Sequence, residues 1–557
     1  MRKIQISPIA LAALAAVFLV YLLFSARAHA AGSGAESVPL YNNLGNYQVP
    51  VTTGKARAQQ YFDQGMRLYY AFNHAEAIRA FRAAQRLDPN CAMCWWGEAL
   101  AWGPNINLPM DQPSALAAHR AVQLALVKKP SVSNLEQAMI EALALRYAAD
   151  APEPRGHLDR AYADAMAELA ADYPDNAEVA VLYAEALMDL RPWDYWTAEG
   201  RPQPGMEVAL EKLQQVIAQN DSHPGACHFY IHAVESVYPE RAVPCAERLA
   251  RLMPGAGHLV HMPGHIYIRV GRYMDAVDAN QHAVHADETY IQDQRPGMGM
   301  YTAGYYPHNY DFMAFAAMMI GRSVLAVESA EKVTSLLPEA LFGSPGMDFL
   351  QNLLVRPLQM HVRFAQWNEI LAASKPSEIY PHSLGIWHYA RGRALLAIGK
   401  PEAAKQELRD LRAVAQSEDL SGLRMEFNQS SSLLSIADKV LSGWYQASAD
   451  NFDAAISILR AANREEDELF YGEPPEWSVP TRQDLGAVLL AAGRPVEAEQ
   501  AFREDLAKFP ENVWSLYGVA EALKQQGNME AAAAFEATLR RVAASADIEL
   551  ANIFKSK

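Results

Sequence analysis

Apolar residues recur every three to four positions along most of the chain, the spacing that gives a helix one buried face. The pattern is clearest in YFDQGMRLYYAFNHAEAIRAFRAAQRLDPN, residues 61–90. It predicts two helices joined by a tight turn at Asn73-His74, with Pro89 ending the second. The same phrase length and rhythm return in GHIYIRVGRYMDAVDANQHAVHAD, in AFAAMMIGRSVLAVESAEKVTSLLP ending at Pro338, and in HYARGRALLAIGKPEAAKQEL. Two further copies follow, LGAVLLAAGRPVEAEQAFREDLAKFP and YGVAEALKQQGNMEAAAAFEATL. Helical periodicity also marks residues 134–149, 155–173 and 176–190.

Gly65, Ala77, Phe81, Ala84 and Pro89 stand where a tetratricopeptide repeat places small, small, bulky, small and terminating residues. Gly264, Ala276 and Ala283 repeat part of that spacing. The small residues let the two helices of a repeat approach closely, and the aromatic ring fills the gap. The chain is therefore expected to be all-α, a tetratricopeptide-type helical-hairpin solenoid. Two long insertions interrupt it, Asp189 to Gly205 and Asp287 to Pro307. Loops of this length are often functional, so they are candidate lids or walls, with plain crossovers as the alternative.

The N-terminus changes the address. Arg2 and Lys3 precede an apolar run from Ile9 to Phe24, followed by Ala28-His29-Ala30, the form of a cleaved secretory signal. This points to the periplasm or beyond. The alternative is an anchor in the inner membrane formed by residues 9–24, the one place where the sequence offers membrane contact. The expected organisation is signal or anchor over 1–30, a polar linker over 31–55 and N-terminal hairpins over 56–130. Central repeats with the histidine-rich stretch follow over 131–340, and C-terminal repeats over 341–557. All are read as one continuous array.

A formal charge of −16 and the lack of clustered Lys and Arg exclude a nucleic-acid partner. The four cysteines are Cys91, Cys94, Cys227 and Cys245. Cys91-x-x-Cys94 has no second CxxC to complete a zinc ribbon and no following His for haem attachment. It reads as a local disulfide or two quiet thiols.

Histidine distribution carries the candidate chemistry. Nine of the sixteen histidines fall between His223 and His308, where an even spread would put about two or three. His228 and His232 are four apart, as are His261 and His265, and the pairs are 33 residues apart, close to one repeat. Each pair can share a helix face, and a shift of one repeat brings the pairs side by side. His258 joins the second pair, although Pro263 must kink or start the helix there. Pro307 suits the first turn of the next inner helix, which would project His308 and Asp311.

The metal ligands predicted on this basis are His228, His232, His258, His261, His265 and His308, lining the concave groove of the array. Glu235 is expected to orient a ligand, with a general base as its weaker alternative. His282 and His285 fall on the outer helix and are expected to be structural. Imidazole donors favour a divalent transition metal, zinc or copper ahead of iron. Met298 and Met300 would suit copper(I) but are more often packing residues. His74, Asn105, Asn107 and Asp311 are candidates for supporting or substrate-contacting roles. Trp95, Trp96 and Trp102 read as fillers between helices.

The phrases AFNHAEAIRAF, CAMCWWGEALAWGPNIN, HFYIHAVE, GHLVHMPGHIYIRVGRY, PHNYDF and YGEPPEWSVPTRQDLGAVLL span most of the mature chain. In them the sequence resembles a widespread group of bacterial secreted tetratricopeptide repeat proteins with an HMPxH phrase. The resemblance implies an all-helical repeat fold and brings no reaction or cofactor with it. No HExxH, nucleophile elbow, phosphate loop or Rossmann fingerprint names a reaction either. Three functions are compatible with these residues: a secreted metalloprotein, including a metal-dependent enzyme; a scaffold with a small-molecule, peptide or protein ligand in its groove; and a metal store or carrier.

Overall fold

The computed structural model of the protein describes residues 38–342 and 347–551. The predicted signal or anchor segment and residues 31–37 lie outside the described residues. The fold is all-α, a succession of antiparallel helix pairs of tetratricopeptide type. The one strand ladder among the described residues is a two-residue hairpin, Arg424–Met425 against Asn428–Gln429. No helix among the described residues is long and apolar enough to cross a membrane.

Packing within the hairpins follows the small-and-bulky rule read from the sequence. In the first pair, Ala56–Tyr70 and His74–Leu87, a Cβ on Gly65 would lie 2.5 Å from the Phe81 ring. A Cβ on Gly97, in the following helix Ala92–Ala101, would lie equally close to the same ring. Phe81 thus fills a gap between two successive helices that only glycine leaves open. Phe502 does the same between Gly486 and Gly518 near the C-terminus. A buried aromatic ring placed this way supplies both apolar area and a fixed interhelical spacing.

The turns are equally regular. Arg272, Arg322, Lys400, Arg494 and Asn528 each donate a backbone N–H to the carbonyl five residues earlier, at 2.8–2.9 Å. This bond closes a helix C-terminus, and the residue before the donor must take a left-handed backbone. In these five turns it is Gly271, Gly321, Gly399, Gly493 and Gly527. Asn73 makes the same bond to Leu68 at 3.0 Å, yet the residue before it is Phe72, with φ +54°.

The described residues form two compact units, one of residues 38–266 and 282–302, the other of residues 267–281 and 303–551. In the first, residues 38–55 are fastened to the opening helix. Gln64 accepts from Tyr41 N at 2.8 Å, Asp63 from Val49 N at 3.0 Å, and Tyr61 donates to the Val38 carbonyl at 2.6 Å. Disulfides Cys91–Cys94 and Cys227–Cys245 lie in this unit, the second tying Pro224–Val234 to Val243–Leu252.

The periodic stretches 134–149, 155–173 and 176–190 form Asn134–Ala144, Gly156–Asp172 and Ala177–Asp189. Residues 287–294 of the second insertion continue the helix Tyr273–Gln294, because no breaker precedes Pro296-Gly297. Pro263 divides its helix into Gly257–His261 and Pro263–Arg269.

Candidate metal centre

Every residue of the helix Pro224–Val234 is buried. A helix with no solvent face belongs to the interior of its unit, and it takes His228 and His232 there. Glu235 caps its C-terminus, also buried. His258 and His261 lie on Gly257–His261, and His265 on the first turns of Pro263–Arg269. The five imidazoles are 0–3% exposed. The sequence placed these ligands along an open groove; they are enclosed instead, because the helices carrying them are apolar on every side.

Three of the outer nitrogens face oxygen atoms. Nδ1 of His228 lies 2.7 Å from the Tyr70 carbonyl oxygen. That oxygen belongs to the last residue of the opening helix, where carbonyls lack intrahelical donors. A carbonyl only accepts, so Nδ1 carries the hydrogen and Nε2 presents a lone pair. Glu235 acts similarly on two rings, with Oε1 3.5 Å from His232 Nδ1 and Oε2 3.1 Å from His265 Nδ1. Carboxylates and carbonyls on the outer nitrogen are what orients metal-binding imidazoles.

The inner nitrogens converge. Nε2 of His228 and Nε2 of His258 are 3.2 Å apart, and those of His261 and His265 are 2.9 Å apart. Two nitrogens each about 2.0–2.1 Å from one ion, at right to tetrahedral angles, would be separated by roughly 2.9–3.4 Å. His228, His232 and His258 each bring a donor atom within 4.8 Å of the other two. Nε2 of His232 is buried with no hydrogen-bond partner among the described residues. The donor set therefore fits a transition-metal ion.

The electrostatics agree. His228 and His258 titrate well below the ordinary histidine range, first because of burial and then because of neighbouring imidazoles. His232 is also lowered by burial, against the pull of Glu235. Burial alone would raise the Glu235 carboxyl, but His265 and His232 outweigh it and hold it down to about 2. The site thus offers uncharged imidazole donors beside one fixed carboxylate, the protonation states that a divalent ion needs.

Three aromatic residues that sequence reasoning missed complete the surroundings. The Phe72 ring lies 4.4 Å from His228 and 5.3 Å from His258 by centroid. Trp193, from the first insertion, meets His232 edge-on at 5.2 Å. Tyr70 supplies the carbonyl described above. Trp196 from the same insertion donates to the Ala233 carbonyl at 2.8 Å, so this insertion forms a wall of the site. The second insertion packs against the residue before His258: a Cβ on Gly257 would overlap the Asp287 carboxylate, which accepts from Tyr301 at 2.5 Å.

His74 stacks on Tyr69 at 5.2 Å and meets the far side of Phe72 at 5.6 Å. Burial lowers it to about 4. Asn105 Nδ2 lies 3.2 Å from its Nδ1, and Asn105 Oδ1 accepts from Asn107 N at 2.9 Å. These three brace Phe72 rather than join the ligand set. His308 and Asp311 belong to the second unit, on the helix Tyr306–Met319. Asp311 pairs with Arg356 at 3.0 Å, and the His308 ring packs edge-on to Phe312 at 4.9 Å. His282, His285 and Met298 are exposed. Trp96 is a buried filler whose indole donates to the Met139 carbonyl at 3.1 Å.

No family model and no curated protein matches the chain. Among solved structures it is similar to a human IFIT1 dimer with m7Gppp-AAAA, at 13% identity and a TM-score of 0.31, over 77% of this chain and 89% of that one. Yeast Tom70 gives 12% identity and a TM-score of 0.28, over 90% and 94% of the two chains. The tetratricopeptide domain of P58(IPK) gives 13% and 0.19, over 68% and 98%.

Proposed function

We propose that this is an extracytoplasmic metalloprotein of the tetratricopeptide class, whose enclosed histidine site holds zinc or copper and is built for metal-dependent catalysis. One observation carries the reading: the facing Nε2 atoms of His228 and His258, 3.2 Å apart, on a ring locked from behind by the Tyr70 carbonyl. His228 turns a lone pair inward, so the contact holds either a hydrogen carried by His258 Nε2 or a cation between the rings, and the third buried imidazole beside them, His232, favours the cation. Three imidazoles leave a coordination position open, as catalytic rather than structural zinc sites do. When bound, such an ion lowers the pKa of a coordinated water or polarises a substrate oxygen. His228, His232 and His258 would hold it, Glu235 would orient His232, and Phe72 and Trp193 would exclude bulk water. The signal-like N-terminus and the two disulfides support the address.

A ligand-binding role has its own support in the second unit. There a cleft of about 250 Å³ is lined by Phe470, Tyr471, Trp477, Arg269, Glu473 and Glu476, a mixture suited to a small molecule or peptide side chain.

The deciding experiment is metal analysis of the mature protein, purified without chelators, beside His228→Ala plus His232→Ala. The expected result is a bound transition ion in the natural protein and its loss in the variant, with helical circular dichroism unchanged. A natural protein that purifies metal-free, and whose melting temperature ignores added zinc and copper, would overturn the reading.

A further inference from the structure

We infer that the histidine site is a two-ion centre, with a tighter ion on His228, His232 and His258 and a looser one on His261 and His265. This rests on the metal reading above and divides its donors. The five rings form a closed loop, His228–His232–His265–His261–His258, with successive centroids 4.9, 5.3, 4.8, 5.9 and 4.9 Å apart. Across the loop, His232 and His258 are 6.4 Å apart. Donor atoms bound to one ion at about 2.0–2.1 Å lie no more than about 4.2 Å apart. The five rings do not make one such set: His228, His232 and His258 bring donor atoms within 4.8 Å of one another, and His261 and His265 belong to a different set.

The inner nitrogens sort themselves accordingly. One close contact is His228 with His258, the other is His261 with His265, at 2.9 Å. Glu235 joins the two halves from behind, with one oxygen toward His232 of the first set and the other toward His265 of the second. A single carboxylate thus fixes one ring in each set, an arrangement that a one-ion site would not require. The first position, with His228 held from behind by the Tyr70 carbonyl and His232 by Glu235, is the better organised, and the second is the looser. It binds its ion more weakly and keeps more positions for water or a substrate oxygen, the division of labour that lets paired ions act on one bond.

The test is zinc titration of the full mature chain, stripped with a chelator and followed against a competing chromophoric chelator. Two zinc ions per chain are expected, one binding at least tenfold more tightly than the other. His261→Ala plus His265→Ala should lose only the weaker ion, and His228→Ala plus His258→Ala the tighter one. Cobalt(II) spectra of the natural chain check this without any variant. The absorption per ion should change between the first and second equivalents. Saturation at one equivalent, untouched by the His261 and His265 exchanges, would mean that these two share a proton and would overturn the two-ion inference while leaving the single-ion reading standing. No binding by the natural chain would overturn both.

Discussion

Tyr70 and His228 are 158 residues apart in sequence, yet the carbonyl of one fixes the imidazole of the other at 2.7 Å. The contact depends on Gly225, one turn earlier on the histidine's helix, where a Cβ would overlap the Tyr70 ring. Gly225→Ala should push Tyr70 and its carbonyl away, costing about 1–3 kcal/mol as other overpacking changes do and weakening metal binding. Gly156→Ala, which meets open space, should stay within about 0.5 kcal/mol. Denaturant unfolding of the two variants side by side checks this, and equal costs would mean that the Tyr70 contact is not tight.

Glu235 is expected to act through its two histidines rather than on substrate. Glu235→Gln keeps the shape but puts an amide donor where one of the two carboxylate oxygens stood. Either His232 or His265 must then change tautomer or lose its partner. Metal affinity should fall about 10–100-fold, the usual cost of removing such a partner, with fold and stoichiometry retained. Unchanged affinity by competition titration would reduce Glu235 to a bystander.

Much of this was legible in the sequence. The helix pairs follow from small and bulky residues at fixed spacing, as with Gly65 and Phe81, and the four-residue histidine spacing does put His228 and His232 on one helix. The enclosure was not legible, because periodicity reports one buried face and Pro224–Val234 is buried on all of them. Nor was Tyr70, since a backbone carbonyl leaves no mark in composition. Pro307 marked the first turn of the next helix, which does carry His308 and Asp311. Local spacing cannot foresee that Arg356 takes the Asp311 carboxylate. Phe72 was readable in principle: aligning the turns sets AFN against VGR, IGR, IGK, AGR and QGN.

The buried histidines predict how the metal-free protein responds to acid. Burial holds His228, His258 and His232 below their ordinary value. The groups facing them are Glu235, His265, His261 and the Tyr70 carbonyl. The unfolded chain takes up protons near pH 6.5 that the folded site refuses. Stability is therefore full above that pH and falls as pH drops below it, toward the lower folded values. The slope should be roughly 1.4 kcal/mol per pH unit for each such histidine. Urea unfolding of stripped protein between pH 7.5 and about 5 should show the decline, and His258→Leu should make it shallower by about one proton. A flat profile would mean that the rings are charged or exposed in the folded state.

Phe72 gives the sharpest contrast between packing and backbone strain. Five other turns with the same closing bond use glycine at this position and two use Ala365 and Asp450, whereas Phe72 holds φ +54° with a large ring buried against His228 and His258. A left-handed backbone costs a residue with a Cβ about 1 kcal/mol, so the ring must contribute more than that through its contacts. Removing it should cost about 3–5 kcal/mol, as for other buried phenylalanines. Phe72→Ala loses the ring and keeps the strain, while Phe72→Gly loses the ring and relieves it. The glycine variant should therefore be the more stable of the two by about 1 kcal/mol, although glycine is ordinarily the worse residue beside a helix. Both should bind metal more weakly, because water then reaches the His228 ring. If the alanine variant proves the more stable in urea, the turn is not strained, and Phe72 sits there for reasons other than its contact with the histidines.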